Sequence, residues 1–98
     1  MATTPEGKVK AKVKKLLGTY DKLYHFMPVP MQYQASSLDY FVCYCGRFIA
    51  IETKREGEDL TNMQKLIRRR IEEAGGTVFR VSNDEELFAL KTFLDNLY

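Results

Sequence analysis

The stretch from Leu38 to Lys54, LDYFVCYCGRFIAIETK, constrains this chain more than any other. Two runs rich in aromatic and β-branched residues, Leu38–Tyr44 and Arg47–Lys54, flank Cys45-Gly46, which predicts two strands joined by a two-residue hairpin turn. Such a turn fixes the register. Tyr44 opposes Arg47, Phe41 opposes Ala50, and Asp39 opposes Glu52. Opposed residues project to the same face of a sheet, and Lys54, two residues beyond Glu52, shares it. A largely apolar hairpin therefore carries two carboxylates and a lysine at its open end.

Carboxylates roughly 5 Å apart across a ladder repel, so they share a proton, meet a cation or splay apart. Two carboxylates at short range suit Mg²⁺, which takes one or two such ligands and keeps several waters. A neighbouring ammonium can hold an attacking water or stabilise a developing negative charge. Together these parts suit hydrolysis of a phosphodiester. The competing reading of the same residues is a solvated strand end in which Asp39, Glu52 and Lys54 form an ordinary ion pair.

Asp39, twelve intervening residues, then Glu52-Thr53-Lys54 resembles the signature of PD-(D/E)XK nucleases. The surrounding blocks LDYFVCYCGRFIAIETK, TNMQ and EEAGGTVFRVSNDEEL resemble the VRR-NUC branch of that superfamily, especially its small stand-alone phage and bacterial members. TPEGKVKAKVKKLL and YHFMPV are similar to those members too, so the resemblance runs from Thr4 to about Leu87. It implies a restriction-endonuclease-like αβββαβ core, a mixed sheet flanked by helices, with Mg²⁺ or Mn²⁺ as cofactor. It implies a DNA substrate in replication, repair or recombination, of the branched or Holliday-junction kind, cut by a homodimer. It also implies that the Thr53 carbonyl is a further metal ligand, that Glu6 joins the metal site, and that Gln64 lies near the catalytic centre. One departure stands out: where the family usually has a proline and nearby glycines before the aspartate, this chain has Ala35-Ser36-Ser37-Leu38.

The rest of the chain fits an α/β order. Thr4-Pro5 starts a helix whose apolar stripe is Val9, Val13, Leu16, Leu17 and Tyr20, flanked by lysines. Glu6 projects along that stripe; read without the resemblance, it is a capping-box partner of Thr3 or a favourable charge at the helix start. Leu23–Met27 reads as a short strand stopped by Pro28 and Pro30, with His25 a strand residue. Val29–Ser37 is a polar loop feeding Asp39. Thr61 and Gln64 form a capping-box pattern ahead of a helix striped by Met63, Leu66, Ile67, Ile71 and Ala74. Gly75-Gly76 ends it with a left-handed cap. Thr77–Val81 then returns as a strand parallel to 47–54 through a right-handed crossover. Ser82 or Asn83 caps a last helix, Ser82 and Glu85 fitting a capping box. That helix has a Leu87, Leu90, Leu94, Leu97 stripe, and Phe88, Phe93 and Tyr98 off it suggest a partner surface.

Ninety-eight residues predict one domain, 1–98. The formal net charge is only +2, but residues 1–22 carry +4 and residues 83–98 carry −3, so phosphates belong near the amino-terminal helix. A disulfide between Cys43 and Cys45, two residues apart beside a strand, is geometrically awkward, and the pair makes a poor zinc site; with no long apolar run they predict a cytoplasmic protein without a membrane partner. Three alternatives to a junction endonuclease stand at this point. They are a nucleic-acid-binding module without chemistry, a flap or single-strand nuclease, and an interaction subunit working through the Phe88–Tyr98 helix.

Overall fold

The computed structural model describes residues 4–28 and 38–98. The elements run α1 (Pro5–Leu17), β1 (Tyr24–Phe26), β2 (Tyr40–Tyr44), β3 (Arg47–Thr53), α2 (Asn62–Glu73), β4 (Thr77–Val81) and α3 (Asp84–Asp95). This is the αβββαβ order with an added carboxy-terminal helix. The strands form one mixed sheet in the order β1-β2-β3-β4, antiparallel through β3 and parallel between β3 and β4. The loop predicted over Val29–Ser37, with its Ala35-Ser36-Ser37 departure, lies outside the described residues.

The hairpin has the register its turn dictates. Tyr44 pairs with Arg47 and Phe41 with Ala50. Cys45 and Gly46 both have positive φ, 53° and 75°, the pattern of a type I′ turn, whose twist matches the flanking strands. Strand parity then divides the core. Tyr40, Val42, Ile49, Ile51 and Val81 pack with Val13 and Leu17 of α1 and with Leu90 and Leu94 of α3. Leu38, Ala50 and Val78 pack on the other face beneath Ile67 and Ile71 of α2.

Several local expectations are corrected. The ladder of β2 starts at Tyr40, so Asp39 sits in the bend before it. The buried side of α2 is Gln64, Ile67 and Ile71, whereas Met63 and Leu66 of the expected stripe are exposed. Of the two cap candidates for α3, Asn83 is the cap, its side chain accepting the Glu86 N–H at 2.8 Å, but Glu86 and not Glu85 reaches back to the Ser82 N–H. Phe93 packs on Phe79 at 5.1 Å between ring centres, leaving Phe88 and Tyr98 as the exposed aromatics of that end.

Two glycines make opposite predictions. A Cβ at Gly76 would lie 2.6 Å from Ile71 Cγ2 and 3.2 Å from the Phe48 ring, so Gly76→Ala is expected to cost about 1–3 kcal/mol. Gly18 has an ordinary helical φ of −70° and room for a methyl, so Gly18→Ala is expected to add roughly 0.4–1 kcal/mol. Urea midpoints moving in opposite directions check both.

Candidate active site

The next rung of the hairpin ladder would set Asp39 against Glu52, and the chain leaves the ladder there. Like charges directly opposite are unfavourable. Instead the two acids exchange backbone contacts. The Asp39 N–H donates to Glu52 Oε1 at 3.0 Å. The Thr53 N–H donates to Asp39 Oδ2 at 2.9 Å, and the Thr53 hydroxyl donates to the same oxygen. Thr53 has the strand parity of Ile49 and Ile51, so Asp39 leans toward the α1 side of the sheet end. Glu52 has the parity of Ala50 and leans toward α2. The two acids are tied together through the backbone.

Each acid has its own lysine. Lys54 Nζ lies 3.6 Å from Glu52 Oε2, and Lys10 Nζ lies 3.6 Å from Asp39 Oδ1. At that distance both contacts are ion pairs, not hydrogen bonds, which leaves ammonium donors for a ligand. Burial is unequal: the Glu52 and Lys54 side chains are 5% and 9% exposed, against 19% for Asp39, so the site opens to solvent on the Asp39 side.

Gln64 combines its two predicted roles. Its Oε1 accepts the Thr61 N–H at 2.9 Å while its backbone N–H donates to the Thr61 hydroxyl at 3.1 Å, a complete capping box. Its Nε2 donates to Glu52 Oε2 at 2.6 Å. The cap fixes the amide's orientation, so the amide offers Glu52 a donor and nothing else. The start of α2 thereby becomes a brace for the carboxylate.

Burial pushes the Glu52 carboxyl up from 4.5 to about 7, with the Asp39 charge adding to the rise. Lys54, the Gln64 amide and the Asp39 N–H pull it down and do not prevail. Near neutrality this group is therefore poised between its two protonation states.

Glu6 is not brought to the pair. No hydrogen bond or ion pair joins it to Asp39 or Glu52 among the described residues, and no group of three or more His, Cys, Asp or Glu side chains there is placed to hold a metal ion. The helix delivers Lys10 instead, one turn further on. Tyr40 fixes that height, its hydroxyl donating to the Lys10 carbonyl at 3.3 Å. Sequence reasoning placed Lys10 among the flanking lysines. The signal it passed over is spacing, because Lys10 follows Glu6 by four residues and so shares its helical face. The Thr53 hydroxyl was likewise missed; the resemblance offers only the carbonyl of that residue.

The donor set fits a hard divalent cation. Asp39 Oδ1 has no hydrogen bond among the described residues, and the Glu52 oxygens retain lone pairs beyond their single donors. Mg²⁺ needs no third carboxylate, since it keeps several waters. Comparisons with protein-family models, curated proteins and solved structures return no match to this chain.

Proposed function

We propose that the chain is a Mg²⁺- or Mn²⁺-dependent endonuclease of the VRR-NUC type, hydrolysing phosphodiester bonds of branched DNA as a cytoplasmic homodimer. One observation carries the reading: Asp39, Glu52 and Lys54, spaced as a nuclease signature, lie at one sheet end, where Thr53 and Gln64 brace the two carboxylates. The dimer and the branched substrate rest on the sequence resemblance alone. Among the described residues no helix is long and apolar enough to cross a membrane.

Asp39 and Glu52 would hold the cation. When bound, it supplies Lewis-acid polarisation of the phosphoryl group and lowers the pKa of a bound water. Lys54 sits beside Glu52 and meets negative charge as it develops on the phosphoryl oxygens when water attacks phosphorus and the ester bond breaks. Lys10, on the open side, receives a substrate phosphate oxygen. Thr53 and Gln64 are positioning residues, holding the two carboxylates in place.

A nucleic-acid-binding module without chemistry is the second reading. It is favoured by the charge balance of the pair, in which each carboxylate already has a lysine. A panel of four-way junction, flap, single strand and linear duplex, each with Mg²⁺ and with EDTA, separates the two. Cleavage of the junction only with Mg²⁺, abolished in Glu52→Ala, is expected. Binding without cleavage of any member would replace the enzyme by the module.

A further inference from the structure

The sheet face beneath α2 is only partly covered. Among the described residues, Ile67 and Ile71 lie over Leu38, Ala50 and Val78, and the β1 side of that face carries exposed rings. Strand pairing gathers aromatic side chains there: Tyr24 opposes Cys43, which opposes Phe48, and Phe26 opposes Phe41. Ring centres form a chain, Tyr24 to Phe26 at 6.2 Å, Phe26 to Phe41 at 5.6 Å and Phe41 to Phe48 at 5.4 Å. Tyr24 is 67% exposed, and Phe26 and Phe48 are each 46% exposed. Beyond Phe48 the surface continues into a cavity of about 650 Å³ between the hairpin turn and α2, lined by Arg47, Arg70, Ile67 and Ile71. Neither arginine makes an ion pair among the described residues, although Lys65, Arg68 and Arg80 on neighbouring surfaces do.

Uncovered rings edged by uncommitted guanidinium groups define their occupant by complementarity. The rings call for flat apolar faces and the arginines for anions. A duplex hides its base faces, so unpaired nucleotides alone offer both together. A second copy docked through the same patch by a two-fold axis would bury Arg47 and Arg70 against a lining that holds no carboxylate to pair them. We propose that this face binds single-stranded nucleic acid, bases packing on Tyr24, Phe26, Phe41 and Phe48 and phosphates meeting Arg47 and Arg70. Glu52 lies on the same face, four residues past Phe48, about 13 Å along the strand. The binding site stands whatever the acid pair does.

Fluorescence anisotropy of the whole chain in EDTA tests it, with a thymidine oligonucleotide of about 20 residues, the matching oligouridine and a blunt duplex of equal length. EDTA keeps cleavage out of the readout, so failure of the nuclease reading leaves this result untouched. The single strands are expected to bind at least about tenfold tighter than the duplex, and the two oligonucleotides tell DNA preference from RNA preference. Tyr24→Ala and Phe48→Ala should each weaken single-strand binding by about tenfold or more. Tyr24, the more exposed, keeps the test usable if Phe48→Ala loosens the fold. Arg47→Ala and Arg70→Ala should each flatten the salt dependence. Equal affinity for strand and duplex, no binding, or unchanged affinity in Tyr24→Ala overturns the proposal. So does a dimer, seen by light scattering, that Phe48→Ala dissociates without changing oligonucleotide affinity.

Discussion

Glu52→Gln is expected to lower Mg²⁺-dependent cleavage by at least about a hundredfold and to change how stability depends on pH. On the proposed mechanism the activity loss follows from removing one of the two carboxylates that would hold the cation, since losing an outer-shell partner alone typically costs 10–100-fold. The stability effect follows from burial. The Glu52 carboxyl is raised from 4.5 to about 7 in the folded chain, so the folded state holds its proton more tightly than the unfolded state. The contribution of this group to stability is then fully present below about pH 4.5 and is lost as pH rises through 7, a change of at most about 3 kcal/mol. Glu52→Gln removes this slope. The level of stability is a poorer guide, because the substitution also takes a carboxylate from Lys54 and Gln64. Urea unfolding of the metal-free chain at pH 5 and pH 8 reads the slope directly. Asp59 and Asp95, whose carboxyls are held low by Lys65 and Lys91, act only below the usual carboxylate range and leave this window clean.

Lys54→Met is expected to reduce kcat by roughly 10²–10³-fold, the usual effect of losing one preorganised stabiliser of developing charge, while junction binding in Ca²⁺ or EDTA persists. It should also move the rising limb of the pH–rate profile to higher pH. Lys54 is among the groups holding the Glu52 carboxyl down, so its removal lets burial and Asp39 push that carboxyl higher. A lysine that only tunes Glu52 would move the profile and leave the plateau rate unchanged, whereas loss of a group that stabilises developing charge lowers the plateau as well. Single-turnover rates from pH 6 to pH 9 distinguish the two.

The hairpin was legible because a two-residue turn leaves no freedom in the pairing and because its apolar pattern is strong. The same holds for α2 through β4, where Thr61, Gln64 and Gly75 mark the helix ends with specific hydrogen bonds and a positive φ. What sequence could not supply is the behaviour of side chains at the strand end. Register set Asp39 opposite Glu52, yet the repulsion that made the pair notable also drives Asp39 out of the ladder and onto Thr53. Lys10 was hidden for a different reason. Which turn of α1 lies level with Asp39 depends on how the helix docks, and Tyr40 decides that from 30 residues away. The aromatic face was present as Tyr24, Phe26, Phe41 and Phe48, but its exposure depends on how little of the sheet α2 covers.

Mn²⁺ binding at pH 8, followed by electron paramagnetic resonance with Mg²⁺ competition, probes the acid pair without DNA. Bound Mn²⁺ that Mg²⁺ displaces is the expected result, with affinity lost in Asp39→Asn and in Glu52→Gln. A folded chain that binds no Mn²⁺, or whose affinity is untouched by both substitutions, would contradict it.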